Sequence, residues 1–94
     1  QQEPRAMDPL PLHIDFVEDT LFGPTPGHTT CNARVLPREH RDEPGFRLEV
    51  SGPGADALRK AHTLTFQVDQ QHYHGIIRHR DHQADGWMLD IEAA

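Results

Sequence analysis

Apolar and polar residues alternate along most of this chain, and a period of two residues is typical of β-strands that bury one face. Short stretches rich in glycine, proline or charge interrupt the alternation. The pattern predicts six strands, which cover residues 10–16, 29–36, 46–50, 64–68, 72–80 and 87–92. Six short strands separated by turns favour a small antiparallel barrel.

The segments between these strands predict the connections. Residues 23–27 (GPTPG) predict a loop, because glycine and proline take unusual or fixed backbone angles. Residues 37–45 (PREHRDEPG) predict a charged loop, 69–71 a tight hairpin connection and 81–86 a further turn. Residues 55–61 (ADALRKA) are helix formers but too few for more than one or two turns. The predicted fold class is all-β, a six-stranded antiparallel barrel with one short helical turn.

The length of 94 residues suits one domain with a single core. Residues 1–9 are polar and contain two prolines, so we expect an N-terminal arm followed by a barrel domain over 10–94. Because 35% of the residues are hydrophobic, we expect the core to be thin. The alternation predicts one interior that takes in Leu10, Cys31, Phe46, Phe66, Trp87 and Leu89.

The charge of the chain disfavours two classes of partner. The formal net charge is −6 at pH 7, whereas nucleic acids and anionic membranes attract a positive surface. The single cysteine, Cys31, excludes an internal disulfide, and this favours a reducing compartment, which we expect to be the cytoplasm. The sequence contains neither a nucleophile elbow nor a phosphate-binding or dinucleotide fingerprint, so we expect no enzymatic activity.

The order of the predicted strands and the sequences of several of them resemble those of the PilZ domain family. The resemblance covers nearly the whole chain and is carried by residues 9–14 (PLPLHI), 45–50 (GFRLEV), 62–68 (HTLTFQV), 74–77 (HGII) and 86–91 (GWMLDI). A PilZ-like chain has a basic arm, a strand, a signature loop, a strand that ends in a Gly/Pro break, a hairpin and a closing strand. The resemblance therefore implies a PilZ-type barrel.

The PilZ family binds cyclic di-GMP through two motifs, RRxxxR in the arm and [D/N]xSxxG in the loop before the third strand. Guanidinium groups bind phosphates and stack on guanine, and the glycine lets the loop approach the ligand. The resemblance puts Arg5 at the last arginine and His40, Asp42 and Gly45 at the Asp/Asn, Ser and Gly positions. The earlier arginines would fall on Gln1 and the residue before it. Both motifs depart from the family pattern, which implies weakened affinity.

Two further arginines, Arg38 and Arg41, lie in the same loop. If cyclic di-GMP binds, the resemblance implies that it contacts Arg5, Arg38, His40, Arg41, Asp42 and Gly45. We expect a stand-alone bacterial signalling module without a cofactor, which docks a protein partner when nucleotide orders the arm onto the barrel. The alternative within binding modules is a nucleotide-blind adaptor that recognises its partner along a strand edge or face.

The eight histidines support an alternative of another class, a His-rich metal-binding protein. His72 and His74 lie two residues apart, so their imidazoles share one face of a strand at a spacing of about 7 Å. His79 and His82 follow along the chain. Zinc typically needs four converging ligands, and neither a cysteine pair nor an HExxH spacing is present. A solvent-facing row of histidines is the interpretation that we favour.

Overall fold

A computed structural model describes residues 9–38 and 44–93 of the chain. Six β-strands and one short 3-10 helix account for nearly all of them. The elements are β1 (Leu10–Thr20), β2 (Gly23–Pro37), β3 (Gly45–Ser51), a 3-10 helix (Ala55–Leu58), β4 (Ala61–Val68), β5 (Gln71–Gln83) and β6 (Gly86–Ala93). The predicted all-β fold class with one short helical turn is confirmed.

The strands close into an antiparallel barrel in the order β1-β2-β3-β6-β5-β4. β4 and β5 form the predicted hairpin, and β5 and β6 form a second one. β3 pairs with β6 from Gly45–Glu92 to Ser51–Gly86. The ring closes where β1 pairs with β4, from Asp15–Thr65 to Glu18–Ala61, with an irregularity after Val17. The closing seam is therefore much shorter than either of the two strands that form it.

The core fills the barrel with the apolar residue of each alternating pair, as the period of two predicts. Phe46, Phe66 and Leu89 converge there, and Cys31 is buried among them, as predicted. Trp87 is partly buried and packs against this core. Leu10 was wrongly expected inside: it lies at the first position of β1 and is exposed, because the buried face of the strand starts at Leu12.

The loop predicted at residues 23–27 is wrong. β1 continues to Thr20, and the chain turns at Leu21 and Phe22, so the Gly/Pro-rich stretch forms the first part of β2. Among the described strands it pairs with β1 alone, because register pairs with β3 begin only at Asn32. Proline is tolerated on a strand that has such an edge, since no second neighbour needs its missing N–H.

Candidate functional site

The end of the barrel where β1 begins and β2 ends is the location implied for nucleotide binding. Leu10, the first residue of β1, pairs with Ala33, and β2 ends at Pro37 opposite Phe46. The arm that precedes β1 and the connection between β2 and β3 therefore leave the barrel at the same end. Of the predicted ligand contacts, Arg38 and Gly45 are described. Those outside the described residues are Arg5, His40, Arg41 and Asp42.

Arg38 directs its guanidinium across β3 onto β6. Its Nε donates to Asp90 Oδ1 at 3.0 Å and its Nη2 to Asp90 Oδ2 at 3.3 Å, which is a two-pronged ion pair. Nη1 donates to the carbonyl of Pro44 at 3.2 Å. The side chains of Arg38 and Asp90 are only 7% and 13% exposed. The charge of this arginine is thus held by a carboxylate of the barrel wall.

Gly45 makes this crossing possible. A Cβ at this position would meet the carbonyl oxygen of Ile91 and would lie 2.6 Å from Nη1 of Arg38. A side chain here would therefore displace either the neighbouring strand or the arginine. Two residues of the predicted ligand set, Arg38 and Gly45, are packed against each other, and in the described structure the glycine allows a side chain to approach closely.

The hairpin of β1 and β2 ends in an apolar tip that the strand pattern did not predict. Leu21 and Phe22 are 100% and 96% exposed. Thr20 Oγ1 is at the centre of the turn: it accepts from the Phe22 amide at 3.1 Å, donates to the Gly23 carbonyl at 3.0 Å and contacts Thr25 Oγ1 at 3.1 Å. Gly23 follows with a φ of +94°, which glycine adopts without strain. The two side chains thus project from a well-ordered turn.

Comparison with family models, curated proteins and solved structures found no match. The resemblance to PilZ domains stays a prediction. No helix in the described part of the chain has the length and apolar character that crossing a membrane requires.

Two groups of histidines lie on separate parts of the barrel wall. His72 and His74 lie on β5. Because the ring closes between β1 and β4, His13 on β1 and His28 on β2 lie near them. Sequence reasoning missed this grouping, because only the strand order reveals it. Among the described residues, no three His, Cys, Asp or Glu side chains are placed to hold one metal ion.

His79 and His82 lie farther along β5, away from His72 and His74. His79 Nε2 is 3.3 Å from Asp81 Oδ1. The ring of His82 meets that of Trp87 edge-on, with centroids 4.6 Å apart. The Trp87 indole donates to Asp56 at 3.4 Å. The four histidines that follow Gln71 therefore form two separate environments, not one row.

Proposed function

We propose that this chain is a non-catalytic bacterial signalling module that docks a protein partner through the tip of the β1–β2 hairpin. The exposure of Leu21 and Phe22 carries the proposal. Large apolar side chains that project fully from an ordered turn gain nothing from the fold of their own chain. A partner that covers them gains about 1.5–3 kcal/mol for each side chain buried.

The residues beside the tip define the chemistry of the partner. Glu18 and Asp19 precede the turn on β1, and their register partners on β2 are the uncharged Thr25 and Pro24. An apolar pocket with lysine or arginine at its rim complements this arrangement. An anionic membrane surface repels the same two carboxylates, which favours a protein as the partner.

The test uses a photo-crosslinking amino acid at position 22, with position 84 in the β5–β6 turn as the matched control. We expect position 22 to capture a partner in the native host that position 84 does not. The captured protein, once purified, should bind the full chain, and the double substitution Leu21→Ser/Phe22→Ser should weaken that binding by about 100-fold.

Two outcomes contradict docking through the tip. One is equal affinity of the purified partner for the wild-type chain and the double variant. The other is binding to vesicles of phosphatidylglycerol that the double variant loses, because a lipid surface would then be the target. Circular dichroism of the double variant provides the folding control, and we expect no change because both side chains lie outside the core.

The second candidate function is a response to cyclic di-GMP at the end of the barrel where β1 begins. The common exit of the arm and the β2–β3 connection favours it, since the PilZ resemblance requires both segments at one ligand. In this proposal Arg38 leaves Asp90 to join the site. Nucleotide binding would then exchange one ion pair for another, and this exchange would transmit ligand binding to β6.

Calorimetric titration with cyclic di-GMP tests this candidate. Heat at micromolar nucleotide that Arg41→Ala weakens supports it, with Arg34→Ala as a control because Arg34 pairs with Glu49 on the barrel wall. No heat up to about 1 mM nucleotide, which corresponds to about −4 kcal/mol, leaves the nucleotide-blind adaptor.

A further inference from the structure

A groove on the outside of the barrel follows the seam between β1 and β4. The register pairs of these strands stop at Asp15–Thr65, although β1 extends back to Leu10 and β4 continues to Val68. Two depressions lie along the seam, of about 420 Å³ beside His28 and His74 and about 450 Å³ beside His13 and His72, and Asp15 and Thr65 line both. We call this groove the imidazole trough, and its polar residues are His13, Asp15, His28, Thr63, Thr65, Gln67, His72 and His74.

Four imidazoles and one carboxylate line the trough. Asp15 pairs in register with His28 on β2 and with Thr65 on β4. His13 Nε2 is 3.2 Å from Asp15 Oδ1, and the rings of His13 and His28 have centroids 5.5 Å apart. On the other side, Thr65 Oγ1 is 2.7 Å from Nδ1 of His74. Lys and Arg are absent from the described residues that line the trough.

We propose that the imidazole trough binds an extended, carboxylate-rich peptide segment of a partner protein under mildly acidic conditions. Histidine side chains gain a proton as the pH falls through about 6.5. An imidazole that carries a proton attracts a carboxylate, whereas Asp15 repels one. The trough holds four imidazoles and one carboxylate, so acidification favours the binding of a carboxylate-rich segment.

The seam favours an extended peptide over a compact anion. Among the residues that the structure describes, none pairs with residues 10–14 of β1 on the β4 side, so this edge offers backbone groups to an added strand. Leu12 and Phe66 line the bottom of the trough, whereas His13 and Gln67 line its rim. A strand added at this edge, with acidic and apolar residues in alternation, presents its carboxylates to the imidazoles on the outer face and its apolar side chains to the inner face, where Leu12 and Phe66 are buried.

The charged residues around the trough pair with each other or lie away from its histidines. Arg78 and Glu92 pair with each other on β5 and β6, at 2.6 Å. Glu18 lies toward the hairpin tip, in register with Ala61, the residue that follows Lys60. Beside the histidines, the facing residues of β2 and β4 are uncharged, namely Pro26, Thr30, Thr63, Thr65 and Gln67.

The probe is a blocked peptide of alternating Glu and Val, eight residues long, titrated into the full chain by two-dimensional NMR at pH 5.5 and pH 7.5. We expect saturable binding at pH 5.5, with shifts confined to the residues of β1, β2, β4 and β5 that line the trough, and affinity at least about tenfold weaker at pH 7.5. A peptide of alternating Gln and Val is the control, and we expect it not to bind at either pH.

Two matched pairs of substitutions locate the site. His13→Gln/His74→Gln removes one imidazole from each depression and should weaken binding at pH 5.5 by about fivefold. His79→Gln/His82→Gln removes the same number of imidazoles elsewhere on β5 and should change affinity less than twofold. Asp15→Asn should strengthen binding at both pH values, because it removes the competing carboxylate.

Three results would overturn the proposal: equal binding at the two pH values, equal binding of the Gln–Val peptide, or equal losses in the two histidine pairs. The proposal is independent of the hairpin tip, so the Leu21→Ser/Phe22→Ser variant should bind the peptide as the wild-type chain does. A failure of tip docking and a failure of this site are thereby distinguished.

Discussion

The guanidinium of Arg38, at the end of β2, is paired through two hydrogen bonds with the carboxylate of Asp90 on β6. The strand between them, β3, begins at Gly45, and the arginine crosses the barrel wall where that residue has no side chain. The pair therefore ties together three neighbouring strands at the end of the barrel where β1 begins.

Breaking the Arg38–Asp90 pair should strongly destabilise the fold. Removing one partner of a buried ion pair removes the attraction that offsets the burial of the other charge, and such a change typically costs about 3–5 kcal/mol. Because both side chains here retain slight exposure, we expect Asp90→Ala to lower the free energy of unfolding by about 3 kcal/mol in urea denaturation. The double variant Arg38→Met/Asp90→Leu should lose less than Asp90→Ala does.

The exposed pair of Arg78 and Glu92 provides the control, since their side chains are 52% and 33% exposed. We expect Arg78→Ala to cost less than about 1 kcal/mol, as solvent screens such pairs. Equal losses for Asp90→Ala and Arg78→Ala would contradict the structural role of the Arg38–Asp90 pair.

Gly45→Ala should destabilise the same corner of the barrel. The added methyl group meets the Ile91 carbonyl, which is backbone in a paired strand, and the Arg38 guanidinium. We expect a loss of about 1–3 kcal/mol in the free energy of unfolding, measured by urea denaturation. Most of that loss should persist in an Arg38→Met background because the carbonyl cannot swing aside. An unchanged stability of Gly45→Ala would show that the close approach does not exist.

The sequence predicted the barrel because the alternation of apolar and polar residues is visible within each short strand. Each strand needs this alternation to bury one face in the core. Phe46, Phe66 and Leu89 each occupy the apolar position of a period-two segment, and each is buried. The GPTPG stretch misled the prediction at residues 23–27. Gly and Pro usually interrupt strands, but here they lie on a strand that pairs on one side only, where the missing amide hydrogens cost nothing.

The candidate sites could be predicted less well, because they depend on which strands become neighbours. The proximity of His13 and His28 to His74 follows from the closure of the ring by β1 and β4, which no local pattern encodes. Likewise, the loop composition around Arg38 gave no indication of its partner, since Asp90 lies 52 residues away in the chain. The chemistry of each residue could be read from the sequence, whereas its surroundings could not.

The turn between β4 and β5 offers a stabilising substitution. Val68 pairs with Gln71, so Asp69 and Gln70 form a two-residue hairpin loop, and both have positive φ, of 51° and 67°. Such loops favour glycine at the second position, because other residues are strained there. We expect Gln70→Gly to raise the free energy of unfolding by about 0.5–1 kcal/mol in thermal denaturation. Gln71→Gly, inside β5, should lower it, and the opposite order of the two variants would refute the assignment of the turn.

The buried thiol of Cys31 should make the fold sensitive to alkaline pH. Burial raises the pKa of this thiol from its ordinary value of 9.0 to about 11, because the interior disfavours the thiolate. Below pH 9 the thiol is protonated in both the folded and the unfolded chain, so its contribution is constant. Between pH 9 and 11 the unfolded chain releases the proton and the folded chain retains it, so stability falls by up to about 1.4 kcal/mol per pH unit.

Urea denaturation across this range should show the decline, and Cys31→Ala should have a shallower slope because it has no thiol to ionise. Identical slopes for the two proteins would mean that other groups cause the alkaline loss.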